Sequence, residues 1–331
     1  MAELATQFKT AQSNIEPSPD DWDNAPSAHD EVGTVLAADE KLKEWGINPI
    51  LIGSYGRRVS IRRVYDVDMF CRLDDYPTDV DASEVLGRAY NVLVDQYGDN
   101  HVTLYDTSIT VLIPDADGLY IDVVPARKAE DVWEIPTDNG WLKTNPVKLT
   151  ELKEAKNADY DELYVPCVKL LRQARRTLMG QEAKPGGFTV EMALFTACEE
   201  GQVSGQSMAE LFASAVEGVA DVFRRIADDG FEIPDPTMDG EVLSFDEGAD
   251  FETARDTFAA AAADARAAYD MAEDQAGKAA LLLQGILGAN DDFDNVFPMP
   301  AGYSPNGAPK AHVTERKPGD RKPTPGNLRF G

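Results

Sequence analysis

Apolar residues recur every third or fourth position over much of the chain and alternate with polar ones in only a few short stretches of its first half. In residues 3–14, Leu4, Phe8 and Ala11 share one side, which predicts a short helix stopped by Pro17 and Pro19. Ser27 is the expected cap of a second helix running to Lys43, with Val32, Val35, Leu36 and Leu42 inward and Gly46 after its end. A core strand then follows at Ile50-Leu51-Ile52, opened by Pro49 and closed by a Gly53-Ser54 turn into a short helix. Asp66 and Asp68 alternate with Val67 and Met69, as on a strand with one buried face. Residues 81–96 read as an amphipathic helix through Val85, Leu86, Ala89, Val92 and Leu93. Residues 107–113 and 119–124 read as a hairpin turning at 114–118. The stretch carrying Trp133, Trp141 and Pro146 reads as irregular, with its tryptophans packing between lobes.

From Asp159 the pattern becomes helical. Helices are expected at 163–178, at 188–199 with Thr189 at the cap, at 207–227, and at 251–287 with a break near Gly277. Pro185-Gly186-Gly187 and a Pro-, Gly- and Asp-rich loop at 230–250 separate them. Beyond Pro298 the chain loses its apolar residues, and Lys310, Arg316, Lys317, Arg321, Lys322 and Arg329 outnumber Glu315 and Asp320. This composition predicts a disordered basic tail. The expected organisation is a first lobe over 1–146, a helical lobe over 147–297 and a tail over 298–331.

Composition narrows the function. With 331 residues and 43% hydrophobic content, two packed lobes can form. The 59 acidic residues against 31 basic ones give a formal net charge of −28, which argues against a broad nucleic-acid surface. Acids spread along the whole chain suit a protein kept soluble in very high salt, and imply a halophilic archaeon as source. Cys71, Cys167 and Cys198 form no Cys-x-x-Cys pair and read as small buried hydrophobes of a reducing cytoplasm. The first residues show no secretory signal, and no apolar run approaches the length of about 18 residues that spans a membrane, so a cytoplasmic protein is expected. His29, His101 and His312 fit no metal or nucleophile pattern.

The candidate chemistry lies in residues 53–70, GSYGRRVSIRRVYDVDMF. Two carboxylates on one face of a strand repel each other, and a hard divalent cation removes that cost. A Gly-Ser turn offers backbone N–H groups and a hydroxyl to phosphate. Asp122, in the strand-like run LYIDVV, is a candidate third carboxylate.

These parts, in this order, resemble the polymerase β-like nucleotidyltransferase superfamily. The longer match, with IDVVPA following, resembles its CD-NTase branch, which includes cyclic GMP–AMP synthase and oligoadenylate synthase. The resemblance implies an α/β (α+β) enzyme with a mixed-sheet catalytic lobe and a mainly helical second lobe. It implies Mg2+ or Mn2+ on Asp66, Asp68 and Asp122, and phosphates held by Gly53, Ser54 and Tyr55. At least one of Arg57, Arg58, Arg62 and Arg63 would act as a phosphate clamp, the alternative being ion pairing with nearby acids. On the helical lobe, Arg172 aligns with a family lysine, Lys169 lies nearly one turn earlier, and Thr189 stands where the family has serine. The implied activity joins nucleoside triphosphates into a cyclic or short linear oligonucleotide with release of pyrophosphate. Its product would be a diffusible antiviral second messenger acting on a downstream effector. The alternatives are an RNA-end transferase of the CCA-adding kind and an inactive nucleotide-binding relative. The zinc module of cyclic GMP–AMP synthase has no counterpart. The closing segment of the family is matched loosely by residues 281–288 and Phe297-Pro298. Finally, the extended C-terminus ends in a bare glycine, and some anti-phage synthases are joined through their C-terminus by a ubiquitin-type conjugating enzyme. The resemblance implies Gly331 as the corresponding conjugation point, with Leu328 and Phe330 as recognition side chains, the alternative being a plain solubilising tail.

Overall fold

The chain leaves its expected course first at Pro19. In the computed structural model, which describes residues 4–310 apart from 63, 65, 115, 117, 246 and 247, α1 (Ala5–Ile15) is followed almost at once by α2 (Pro19–Ala38). Ser18 caps α2: its hydroxyl accepts from the Asp21 N–H, and the Asp21 carboxylate takes the Ser18 N–H. Pro19 at the first helical position sacrifices no hydrogen bond, because that N–H has no partner inside a helix. The proline expected to stop one helix therefore starts the next, and Ser27 lies inside α2, its hydroxyl donating to the Asp23 carbonyl. Nor does α2 run to Lys43. Asp39 ends it and caps α3 (Glu40–Glu44).

The first half builds a seven-stranded mixed sheet. Its strands are β1 (Ile47–Leu51), β2 (Asp66–Leu73), β3 (Val102–Leu104), β4 (Ile109–Leu112), β5 (Tyr120–Ala129), β6 (Val132–Thr137) and β7 (Gly140–Thr144). Two helices intervene: α4 (Gly53–Gly56) after β1, and α5 (Ala82–Tyr97) after β2. The strand order is β1-β2-β5-β4-β3, with β6 and β7 continuing from β5 as a hairpin. Only β2 and β5 run parallel. Pro49 sits within β1 rather than at its start. It is tolerated there because β1 is an edge strand, paired with β2 alone. The stretch read as irregular is the β6–β7 hairpin. Pro136 and the two tryptophans hide its alternation, and both rings pack on their own lobe, Trp133 edge-on to Phe70 and Trp141 to Tyr76. α2 and α5 cover one face of the sheet, where Val32, Leu36, Val85 and Leu93 meet Val67, Met69, Val111, Ile121 and Val123. The pleat then sends Asp66, Asp68 and Asp122 to the opposite face.

The second half is helical: α6 (Pro146–Asp159), α7 (Tyr164–Met179), α8 (Gly187–Glu199), α9 (Met208–Asp229), α10 (Phe251–Asp270) and α11 (Ala276–Leu287). α6 begins earlier than the expected helical start because Asn145 caps it and Pro146 occupies its first position. Its apolar signal is weak, with only Leu149 and Lys153 buried. α8 is capped by Gly186, so Thr189 lies inside the helix rather than at its cap. The break between α10 and α11 falls at residues 271–275. Phe212, Phe223, Phe258 and Leu171 form the centre of this lobe, with the Phe223 and Phe258 rings edge-on at 5.1 Å. α1 packs here too, away from the sheet, with Phe8 against Phe297 at 5.0 Å.

Candidate active site between the sheet and the helices

Asp68 on β2 lies directly beside Asp122 on β5, a consequence of the parallel register. Gly53 closes against them from above. Its φ of +65° suits glycine, and a Cβ there would fall 1.6 Å from Asp68 Oδ2, so no side chain can occupy the position. The Ile52 N–H donates to the Asp68 carbonyl at 3.0 Å, which fixes the turn on β2. Next in the chain, the Ser54 and Ser60 hydroxyls share a hydrogen bond of 2.9 Å.

The electrostatics of the carboxylates follow from this crowding. Burial, and then the neighbouring Asp66 and Asp122, push the Asp68 carboxyl up to about 6, against the pull of Arg57 and Arg172. Asp122 is also raised, by burial and Asp66, although the Thr110 hydroxyl that donates to it works the other way. The Tyr120 hydroxyl is raised by burial and by all three aspartates. Among the described residues no three His, Cys, Asp or Glu side chains already stand together as a metal cage. The donors nevertheless fit Mg2+ or Mn2+ in kind. They are oxygen anions on paired strands, and one of them is buried at a cost that a cation would offset.

Two clefts open beside this strand end. One, of about 540 Å³, is lined by Ser54, Asp66, Tyr120 and the arginines 172, 175 and 176. The other, of about 280 Å³, is lined by Gly53, Arg57, Asp68, Leu149, Phe188 and Met192. Gly53, Ser54, Asp66, Asp68, Asp122 and Arg172 are thus brought together as the sequence reading expects. The remaining candidates are buried or engaged by other partners, Arg57 among them although it lines the second cleft, or lie outside the described residues. Tyr55 is buried in the core of the sheet lobe. Lys169 turns to Glu16, with Nζ 2.6 Å from the carboxylate. Thr189 is buried within α8 and lines neither cleft. Arg57 is committed to Glu191, its Nε and Nη2 each donating at 3.0 Å. Arg62 pairs with Asp292 at 2.7 Å. Arg63 and Gly331 lie outside the described residues.

Sequence reasoning overlooked Glu191 and Phe188. The signal for Glu191 is a lone carboxylate in the apolar run of α8, where it is 1% exposed. Phe188, just after the Gly-Gly break, keeps 38% of its surface and holds its ring 5.5 Å from the Arg57 guanidinium.

The sheet, its carboxylate-bearing face and the attached helices define a nucleotidyltransferase fold of the polymerase β-like kind. Residues 2–157 match the Second Messenger Oligonucleotide or Dinucleotide Synthetase domain family. The chain is 27% identical over 311 residues to a cyclic AMP-AMP-AMP synthase of Acinetobacter sp., covering 90% of this chain and 86% of that protein. Among solved structures it is similar to E. coli MS115-1 CdnC in complex with HORMA-deltaN, with a TM-score of 0.67, 16% identity, and 88% of this chain and 98% of that one covered. It is likewise similar to the Bradyrhizobium diazoefficiens CD-NTase CdnG in complex with GTP, with a TM-score of 0.65, 15% identity, and 86% and 95% covered. The fold is therefore that of the CD-NTases. No helix among the described residues is long and apolar enough to cross a membrane.

Proposed function

We propose that this protein is a nucleotidyltransferase that joins nucleoside triphosphates into a cyclic oligonucleotide second messenger for anti-phage defence. The observation that carries this reading is the pairing of Asp68 with Asp122 in register, under the Gly53–Ser54 turn, within the part of the chain that matches the synthetase domain. In each step a ribose hydroxyl oxygen bonds to the α-phosphorus of a second triphosphate, the bond to the β-phosphate oxygen breaks, and pyrophosphate leaves. Ser54 and the backbone of the turn hold the leaving phosphates. Arg172 neutralises part of their charge from the helical side. Asp122, in register beside Asp68, is the carboxylate that would accept the hydroxyl proton. Mg2+ or Mn2+, held by Asp66, Asp68 and Asp122, would neutralise the triphosphate and make the attacking hydroxyl more acidic. Tyr55, Lys169 and Thr189 are assigned to packing and ion pairing rather than to nucleotide. ATP is the first substrate to test, on the strength of the Acinetobacter relative.

The deciding experiment incubates the protein with the four ribonucleoside triphosphates and Mg2+, with and without tRNA, and analyses the products by mass spectrometry. A cyclic oligonucleotide formed without tRNA is the expected result. Nucleotides added to tRNA ends would replace this reading with an RNA-end transferase, and no product at all would leave an inactive relative. A second element rests on the sequence alone: Gly331 as an attachment point for a ubiquitin-type conjugating enzyme. Co-expression with the genomic neighbours should give a covalent adduct of higher mass that disappears on deletion of Gly331. An adduct that survives the deletion would end that idea.

A further inference from the structure

The buried cations beside the site are shared out unequally. Arg57 leaves the turn after α4 and enters the helical lobe, where Glu191 receives it through two hydrogen bonds of 3.0 Å each. Lys153 holds the Arg57 backbone from α6 by donating to its carbonyl. The same carboxylate lies 4.0 Å from Nη1 of Arg172, too far for a hydrogen bond. One anion thus faces two guanidiniums, with side-chain exposures of 1% for Glu191, 7% for Arg57 and 19% for Arg172. Arg172 keeps a buried Nε without a partner and lines the cleft that contains Ser54 and Asp66. Its guanidinium lies flat on the start of α8, where a Cβ on Gly187 would be 3.0 Å from Cζ.

We propose that Glu191 is a positioning residue that divides these two arginines between two tasks: it draws Arg57 away from the carboxylates by a fork-to-fork pair, and it leaves Arg172 free to meet the anionic part of a nucleotide. This assignment rests on the proposed function. The division matters because each arginine lines a cleft with one of the carboxylates, Arg57 with Asp68 and Arg172 with Asp66. A guanidinium deprived of Glu191 remains buried, and Asp68 is the anion it would turn to. Glu191 at once weakens ground-state attraction for triphosphate, by part-neutralising Arg172, and protects the carboxylate on which the chemistry depends.

The two effects have opposite signs, which a merely structural role would not produce. In Glu191→Gln, binding of nucleoside triphosphate measured calorimetrically in EDTA should tighten by roughly three- to tenfold, the size of a partly screened charge term at this distance. In Mg2+, kcat should fall by at least about tenfold while KM falls with the binding constant. The double variant Arg57→Gln/Glu191→Gln removes both the anion and its competitor. It should keep the tighter binding and recover several-fold of the lost kcat. Each of the four triphosphates is titrated, and the one that the unaltered protein binds most tightly is used throughout. Unchanged or weaker binding by folded Glu191→Gln protein would overturn the assignment, as would a change confined to the melting temperature. If the single variant does not fold, the double variant decides by the same sign of the binding change. An unaltered protein that binds none of the four triphosphates would instead overturn the proposed function itself, and this assignment with it.

Discussion

The two clefts at the end of β2 are made from neighbouring residues of the same elements, yet they are chemically unlike. Ser54, Asp66 and Gly187 face one; Gly53, Asp68 and Phe188 face the other. The first gathers Arg172, Arg175 and Arg176, although Arg175 is occupied by the carbonyls of Gly180, Gln181, Ala183 and Pro185. The second is floored by Leu149 and Met192 and offers a ring in place of a free cation. One-residue steps at two helix starts, Gly53 to Ser54 and Gly187 to Phe188, and a two-residue step along one face of β2, Asp66 to Asp68, thus separate a wall suited to phosphates from a wall suited to a flat base. The two walls meet at the same pair of strands, so the proposed reaction would have two unlike environments flanking its carboxylates.

The carboxylates serve both clefts, so their loss should be the largest effect. Asp66→Ala with Asp68→Ala should lower product formation by roughly 10³-fold, while circular dichroism stays unchanged because the change removes mutual repulsion. A double variant that kept about a tenth of the activity would remove the carboxylates from the mechanism. The clefts themselves separate in the next experiment. Arg172→Gln should raise KM for every triphosphate alike, by about tenfold or more, since a hydrogen bond to a charged group is worth roughly 1.5–3 kcal/mol. Phe188→Ala should instead change the ratio among bases, because stacking of a base on an aromatic ring contributes about 1–3 kcal/mol. Equal effects of Phe188→Ala on all four triphosphates, or unequal effects of Arg172→Gln, would dissolve the distinction between the two walls.

Asp68 allows a test without turnover. Its carboxyl titrates near 6 in the folded protein, above its ordinary 3.8, so the folded state binds the proton more tightly than the unfolded chain. The cost of ionising it is absent below the unfolded value, accumulates as pH rises through the window from about 4 to 6, and is complete above that. Asp68→Asn, which mimics the neutral form, should therefore melt higher than the unaltered protein at pH 8 in EDTA. The gain should be of order 2 kcal/mol, or about 5 °C, and should shrink as pH falls through 5. Mg2+ should then stabilise the unaltered protein and not the variant. A variant melting lower at pH 8 would show that Asp68 is held by contacts rather than strained by its neighbours.

What was legible in the sequence and what was not divides along the same line. The Gly53–Ser54 turn, the Asp66-x-Asp68 alternation and the Asp122 strand are local patterns, each written in a few consecutive residues, and all are found in the expected elements. Glu191 and Arg57 are 134 positions apart, and nothing near either announces the other; only the docking of α8 on the turn after α4 joins them. Arg57 and Arg172 look equivalent as basic residues near the motif, whereas burial and a single carboxylate make one a structural partner and leave the other facing the cleft. The β6–β7 hairpin was missed for a different reason. Its alternation is interrupted by Pro136, and its tryptophans bury against aromatic neighbours that the sequence order does not place beside them. Pro19 shows the third kind of failure, because the residue that forbids a helix interior is also favoured at its first turn.

The smallest expected effect sets the whole surface against the arginine-lined cleft. The chain carries a formal charge of −28, yet that cleft gathers three arginines, so salt should act on the two in opposite senses. At about 0.1 M ionic strength the Debye length is roughly 10 Å, and at about 1 M it is roughly 3 Å. Screening therefore removes repulsion among the exposed acids and raises the melting temperature, while it weakens attraction of a triphosphate to Arg172. Exposed pairs such as Arg224 with Asp221 and Arg255 with Asp228 are screened as well. Each contributes only about 0–1 kcal/mol, too little to reverse the sign against so large an excess of acids. Molar KCl should accordingly raise the melting temperature by a few degrees over dilute buffer and lower the affinity for ATP in EDTA. Phe188→Ala should leave that salt dependence of binding unaltered, and Arg172→Gln should flatten it. Chloride is the proper anion for this test, since sulfate strengthens apolar burial in any protein and would raise the melt for another reason. A melt that stays flat or falls in KCl would remove salt adaptation as the meaning of the acidic surface, while a salt-independent affinity would show that Arg172 does not meet the phosphates.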